Sequence, residues 1–391
     1  MRPLFIDELA EVFILDRDRT PPFDEEDRLN VPHRVLSYLP SLVTVVRIGR
    51  RWGEREIVIL AHFSVKEYLI SSRIARGSAK SFSTTETEAN LHIAEACLAY
   101  HLYLSATILA TDEQCNRYTF WLYVIRYWTE HLERVPRLLW TPITIDMALQ
   151  ALTPSSQAFL NIMRMCDSEK NTADRWRLGF SDLSTPLCHI ASLRAAQLAK
   201  LLLENGALVN ELSPGYYGFA LAVAARQGSV SVVKALLDNG ADINLQGGDY
   251  GNALQSVIVS ENNAVLQLLL DRGANVNLQG GEFGNAIVAA AAYGEKEAVQ
   301  LLLDAGAKVN ARGTLYGNAL YAAIANNEIK CAELLISRGA EVWPPGPELE
   351  DELRRIEVIQ GKIVAENLRR FQRDPSRYII AVKVRQKVER R

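Results

Sequence analysis

Most of the features that announce a chemistry are missing from this sequence. No run of about 18 apolar residues occurs, so no transmembrane helix is expected. The opening, Met1-Arg2-Pro3-Leu4-Phe5-Ile6-Asp7-Glu8, reaches acid before an apolar run forms and does not read as a secretory signal. The five cysteines (Cys97, Cys115, Cys166, Cys188 and Cys331) are odd in number and form no Cys-x-x-Cys pair. That excludes a disulfide framework or zinc site and fits reduced thiols in the cytoplasm, with the nucleus as the alternative. Charge of one sign is also lacking: 43 basic residues stand against 46 acidic ones, a net of -3. A uniformly basic nucleic-acid binder is thereby excluded.

Catalytic motifs are absent too. There is no Gly-x-x-x-x-Gly-Lys-Ser/Thr loop to cradle phosphate, because residues 49–53 and 247–248 lack the following lysine and hydroxyl. No Gly-x-Ser-x-Gly elbow and no His-Glu-x-x-His helix occurs. His92, His101 and His131 are scattered without ligand spacing and read as structural histidines. The chain therefore reads as non-enzymatic, with no catalytic residue, no metal, no cofactor and no small-molecule substrate.

What is present is a period. Gly-Ala turns recur at Gly206, Gly240, Gly273, Gly306 and Gly339, spaced 34, 33, 33 and 33. A second marker, Gly218, Gly251, Gly284 and Gly317, keeps the same 33-residue step. Each unit reads as two short helices. Asn252, Asn285 and Asn318 stand where a side chain caps the first helix, and Thr185 takes that place in the first unit. Phe219 occupies the same place in the second unit and cannot cap. Gly228 and Gly294 suit a left-handed turn between the helices. Leucine blocks such as Leu268-Leu269-Leu270 mark the second helix as core-facing, and glycines such as Gly240 end it.

Thr185-Pro186-Leu187 followed by Ala191, with this period, resembles the ankyrin repeat family, although Cys188 stands where that family has histidine. The resemblance runs from about residue 182 to 343 and implies five stacked repeats that share one core. It also implies a concave face and turns that bind protein partners. The surface candidates on the turns are Gln246, Asp249, Gln279, Glu282, Arg312 and Leu315. Those near the ends of first helices are Arg226, Tyr293 and Asn326. An aromatic ladder at Tyr217, Tyr250, Phe283 and Tyr316 has two readings. Tyr250, Phe283 and Tyr316 are candidates for a binding stripe, but strict periodicity favours packing of each ring on the next turn.

The first half is different. Leu4, Phe5, Leu9, Val12 and Phe13 give one apolar helical face, and residues 31–39 a second helix. Residues 42–46 and 57–60 read as strands, joined by a polar link at 49–56. Ser64 with Glu67 forms a capping box for a further helix. Helices and a hairpin make a winged-helix-like module. Arg47, Arg50, Arg51 and Arg55 around Trp52 give it an arginine-rich tip. DNA binding through this wing and the basic C-terminal end is the alternative function, and is not the one expected.

Leu42-Val43-Thr44-Val45, the run from Leu60-Ala61-His62-Phe63-Ser64 to Leu69, Leu9-Ala10 and Pro21-Pro22-Phe23-Asp24 resemble the winged-helix segment of fungal NACHT–ankyrin NOD-like (STAND) proteins. Residues 94–100, 120–131 and 159–160 resemble the helical linker those proteins carry before their repeats. This implies a sensor or scaffold role beside a nucleotide-binding NACHT domain, which the sequence lacks and which is expected upstream of Met1. The expected fold is mainly α: a winged-helix-like α/β module (1–80), a helical linker domain (81–181), an ankyrin-repeat solenoid (182–345) and a charged C-terminal helix with a basic tail (346–391). The helix candidate at 348–371, with Leu353, Ile356, Ile359, Ile363 and Leu368, is placed to cap the stack. Residues 369–391 hold nine basic and two acidic residues, Asp374 and Glu389.

Overall fold

The structure, a computed structural model, describes residues 43–50, 53–60, 85–107, 111–166, 182–214, 218–341 and 362–375, with a few isolated positions. It divides into two compact units, Met1–Pro186 and Leu187–Arg391.

In the first unit, β1 (Val43–Arg50) and β2 (Gly53–Leu60) pair antiparallel, from Val43 opposite Leu60 to Arg50 opposite Gly53. The expected hairpin is present but longer. Most of the presumed link at 49–56 belongs to the ladder. Backbone pairing sustains this polar outer part, and the register sets Arg47 opposite Glu56, a pair of opposite charge. The helices expected at 4–13, 31–39 and 64–72 lie outside the described residues, as do Arg51 and Trp52. Among the described residues the hairpin is the one part of the expected winged-helix module, and the module itself is not supported. The remaining described structure is helical.

The helical part starts with α1 (Glu86–Thr107), which opens on a capping box. The Glu88 amide donates to Thr85 Oγ1 at 3.1 Å, and Thr85 N donates to Glu88 Oε2 at 2.8 Å. Next come α2 (Asp112–Arg117), α3 (Thr119–Glu133), α4 (Pro142–Ala151) and α5 (Gln157–Cys166). α1 packs on α3, α4 and α5 around Tyr100, Trp121, Trp128 and Phe159. Two histidines join this core through hydrogen bonds. Trp121 Nε1 donates to His101 Nδ1 at 3.0 Å, and His101 Nε2 lies 3.1 Å from the Ala158 carbonyl. His131 lies between Tyr123 and Asn90 at 3.0 and 2.8 Å. Burial lowers both imidazoles to about 4, so they are neutral packing groups.

The second unit is five helix pairs. They are α6 (Pro186–Ser192) with α7 (Ala196–Glu204), α8 (Ala220–Arg226) with α9 (Val230–Asp238), and α10 (Ala253–Ser256) with α11 (Asn263–Asp271). α12 (Ala286–Tyr293) with α13 (Lys296–Asp304) and α14 (Ala319–Ala325) with α15 (Ile329–Ser337) complete the stack. Asn252, Asn285 and Asn318 cap as expected, accepting from the amides of Gln255, Val288 and Tyr321. Phe219 holds extended backbone without a side-chain cap, yet α8 starts at the matching position. Burial of its ring, 1% exposed, substitutes for the missing bond. α10 is the shortest first helix and continues as a 3-10 turn (Val257–Ser260). The hydroxyls of Ser256 and Ser260 bond back to the carbonyls of Asn252 and Val257, and three β-branched residues follow Ser256. The first helices α8, α12 and α14 are rich in alanine.

In the last four leucine blocks one side chain is fully committed to the core, Leu236, Leu269, Leu302 and Leu335; in the first block Leu201 and Leu202 are both buried. In those last four blocks its neighbours turn about 100° away along the helix and are less buried. The marker glycines have a steric cause. A Cβ on Gly251, at φ +81, would meet the Gly281 amide nitrogen at 2.5 Å, and one on Gly218 would meet the Gly247–Gly248 peptide at the same distance. Consecutive turns thus touch backbone to backbone. A last helix, α16 (Lys362–Arg373), packs on α14 with Leu368 and Phe371 fully buried.

Candidate protein-binding surface

The turns and the C-terminal ends of the first helices bring half of the predicted surface residues together. The Arg226 guanidinium lies 5.5 Å over the Tyr250 ring. Phe283 contacts Tyr293 with ring centroids 5.4 Å apart and stacks on Tyr316 at 6.5 Å. Phe283 and Tyr316 are only 7% exposed, so packing between turns accounts for those two rungs. Tyr250 is half-buried, and Tyr217 lies outside the described residues. Tyr293 is 46% exposed and is the ring that this cluster presents to solvent. Burial raises its phenol, helped by Tyr250, Glu282 and Tyr316 and opposed by Arg226. All of those groups therefore lie within electrostatic reach of Tyr293.

The remaining candidates divide by what their side chains already do. Asp249, Glu282, Gln246 and Arg312 are exposed on the turns, and Leu315 is half-buried. The amide of Gln279, turned with its nitrogen toward the carbonyls of Gly284 and Arg312, bridges the turns at 3.2 and 3.3 Å. Asn326 is exposed but bonds back to the Ala322 carbonyl at 3.0 Å. An acidic edge lies at the turn between first and second helices. Burial raises Glu295, with Glu261, Glu297 and Glu328 adding to the effect, and burial raises Glu328 as well.

The described residues hold no group of three His, Cys, Asp or Glu side chains able to take a metal, and no helix long and apolar enough to cross a membrane. Residues 153–247 and 254–345 match the family model for ankyrin repeats. The five helix pairs are ankyrin repeats. Ankyrin repeats imply a protein–protein interaction module. The match begins at residue 153, ahead of the Thr185-Pro186-Leu187 signature. The chain is 31% identical over 258 residues to "Azaphilone pigments biosynthesis cluster protein L" of Monascus ruber, which covers 62% of this chain and 53% of that protein. It thus spans about half the length of the curated relative it matches. It is also similar to the crystal structure of the human ASB11 ankyrin repeat domain, at 26% identity, 48% of this chain, 83% of that chain and a TM-score of 0.39.

One set of ankyrin residues was missed in the sequence. Asn210, Asn244, Asn277 and Asn310 keep the repeat period and tie each turn to the next. Asn277 Oδ1 accepts from the Lys308 amide at 2.9 Å while its Nδ2 donates to the Gly306 carbonyl at 3.1 Å. Asn210 does the same with the Asp242 amide and the Gly240 carbonyl. Their 33- and 34-residue spacing was the available signal. The ion pairs Asp238–Arg272 and Asp304–Arg338 also link successive second helices, at 2.9 and 3.0 Å.

Proposed function

We propose that this chain is a non-enzymatic protein-recognition module and that a partner docks on the concave face, centred on Tyr293. The carrying observation is an exposed tyrosine packed on Phe283, which itself stacks on Tyr316, with Tyr250, Glu282 and Arg226 within electrostatic reach. Tyrosine and arginine dominate binding hot spots, and an anchor preorganised by neighbours loses little freedom on binding. Joint alanine substitution of Gln246, Asp249, Glu282, Tyr293, Arg312 and Asn326 tests the reading. Loss of the partner with an unchanged circular dichroism spectrum supports it; retained binding overturns it.

The sensor-type role extends this reading. The resemblance of residues 42–45 and 60–69 to the winged-helix segment of fungal NOD-like proteins supports an array acting behind a nucleotide-controlled module. Translation of the coding DNA ahead of Met1 checks it: an in-frame phosphate-binding loop supports that role, and its absence removes it. A reducing compartment, the cytoplasm or the nucleus, suits five free cysteines of which four are buried. DNA binding is not favoured, because Glu54 and Glu56 share the hairpin with its arginines and Glu56 lies opposite Arg47.

A further inference from the structure

The turns carry acid and aromatic residues as adjacent pairs. Asp249 precedes Tyr250 and Glu282 precedes Phe283, one turn apart. The Glu282 amide donates to the Asp249 carbonyl at 3.1 Å, so the two acids sit on touching turns. Both side chains are exposed, and neither carboxylate has a hydrogen-bond or ion-pair partner among the described residues. The turn segments 246–250 and 279–283 contain no basic residue.

The protein itself shows which group this surface takes. Arg226, at the end of α8, places its guanidinium over the ring of Tyr250 on the following turn. In the next two repeats the positions equivalent to Arg226 are Val259 and Ala292, neither of which carries a charge. The array thus sets its own cation over one aromatic ring and carries no charge at the equivalent position of the next two repeats. In their place Tyr293 stands on Phe283, the residue that follows Glu282 on its turn, and exposes its ring. A ring face attracts a cation through its quadrupole, and a neighbouring carboxylate adds Coulomb attraction.

We propose that Tyr293 and Glu282 form a receptor for an arginine or lysine side chain of the partner protein, presented on an extended segment that runs across the turns. Asp249 supplies a second acid for a following basic residue. This rests on the concave-face reading above and names the chemistry of its ligand.

Selection from a random dodecapeptide library tests it, with the full chain and its Tyr293→Ala variant as parallel baits. Peptides retained only by the unaltered chain are expected to be enriched in arginine and lysine. A selected peptide remade with glutamine at its basic positions should bind about tenfold or more weakly. Tyr293→Phe should keep its affinity, Tyr293→Leu should lose it, and Glu282→Gln should weaken it by about threefold. The leucine variant keeps apolar area without the ring quadrupole, and Glu282 is exposed, so neither change threatens folding. Peptides that need Tyr293 but lack basic residues overturn the cation receptor and leave the concave-face reading standing. If no Tyr293-dependent peptides are recovered, both are overturned.

Discussion

The Tyr321 hydroxyl donates to Gln372 Oε1 at 2.8 Å and ties α16 to the last ankyrin repeat. In the preceding repeats the matching residues reach the next turn. Gln255 donates to the Gly280 carbonyl, and Val288 closes on Gly313, where an added Cβ would come within 2.9 Å of its Cγ1. Tyr321 instead reaches α16. Phe371 meets Tyr321 edge-on at 6.5 Å. Phe371→Ala should cost about 3–5 kcal/mol, concentrated in the last repeat. Hydrogen exchange should show α14 and α15 losing protection while α8 and α9 keep theirs.

Two glycines separate conformational from steric demand. Gly240 and Gly251 have nearly equal φ, +83 and +81, but a Cβ on Gly240 meets nothing within 4 Å. Gly240→Ala should cost about 1–2 kcal/mol, the penalty of a left-handed backbone. Gly251→Ala should cost about 1–3 kcal/mol more, because adjacent turns must move apart. Urea unfolding of the two variants measures the difference; equal losses would show that the turns do not touch.

Asn277→Ala removes both bonds that link two turns. The site is partly solvated, so the loss should be about 1–2 kcal/mol in urea unfolding. A loss no larger than that of an exposed outer-helix substitution such as Gln267→Ala would contradict the ladder.

Acid should weaken the helical unit. His101 and His131 are held at about 4 when folded, below the usual 6.5 of an imidazole, and burial is the leading cause. Their folded pKa is depressed, so the unfolded chain binds more protons between these values. The stability associated with neutral imidazole is complete above 6.5 and is lost as pH falls toward 4. Fully buried His101 should contribute a loss on the order of 2 kcal/mol between pH 7 and pH 5. His101→Gln should flatten that slope while lowering stability at pH 7, as read by denaturant titrations at both pH values.

Much of the array was legible because its devices are local and periodic. The asparagine caps, the left-handed Gly228 and Gly294 and the core leucine of each block follow from residue type and spacing. What escaped was contact between repeats. Gly218 and Gly251 stood out as markers, but only the packed turns show that backbone approach demands them. The asparagine ladder kept the period and was overlooked because an exposed asparagine on a turn has several local uses. The hairpin was judged by apolar alternation, which ends before backbone pairing does. At the candidate surface, sequence periodicity weighed Phe283 and Tyr316 toward packing, and both rings are buried. It had no means of placing Arg226 over Tyr250 or Tyr293 on Phe283.

The most direct test of the concave-face reading is position-specific photocrosslinking in the protein's own cells. A benzophenone side chain replaces Tyr293 in one version of the full chain and Gln267, on the outer helix α11, in another. A discrete partner adduct is expected from position 293 alone. It should be competed away by excess unmodified chain and not by the Tyr293→Ala chain. Equal adducts from position 267, or no adduct from position 293, would contradict the assignment of this face to partner binding.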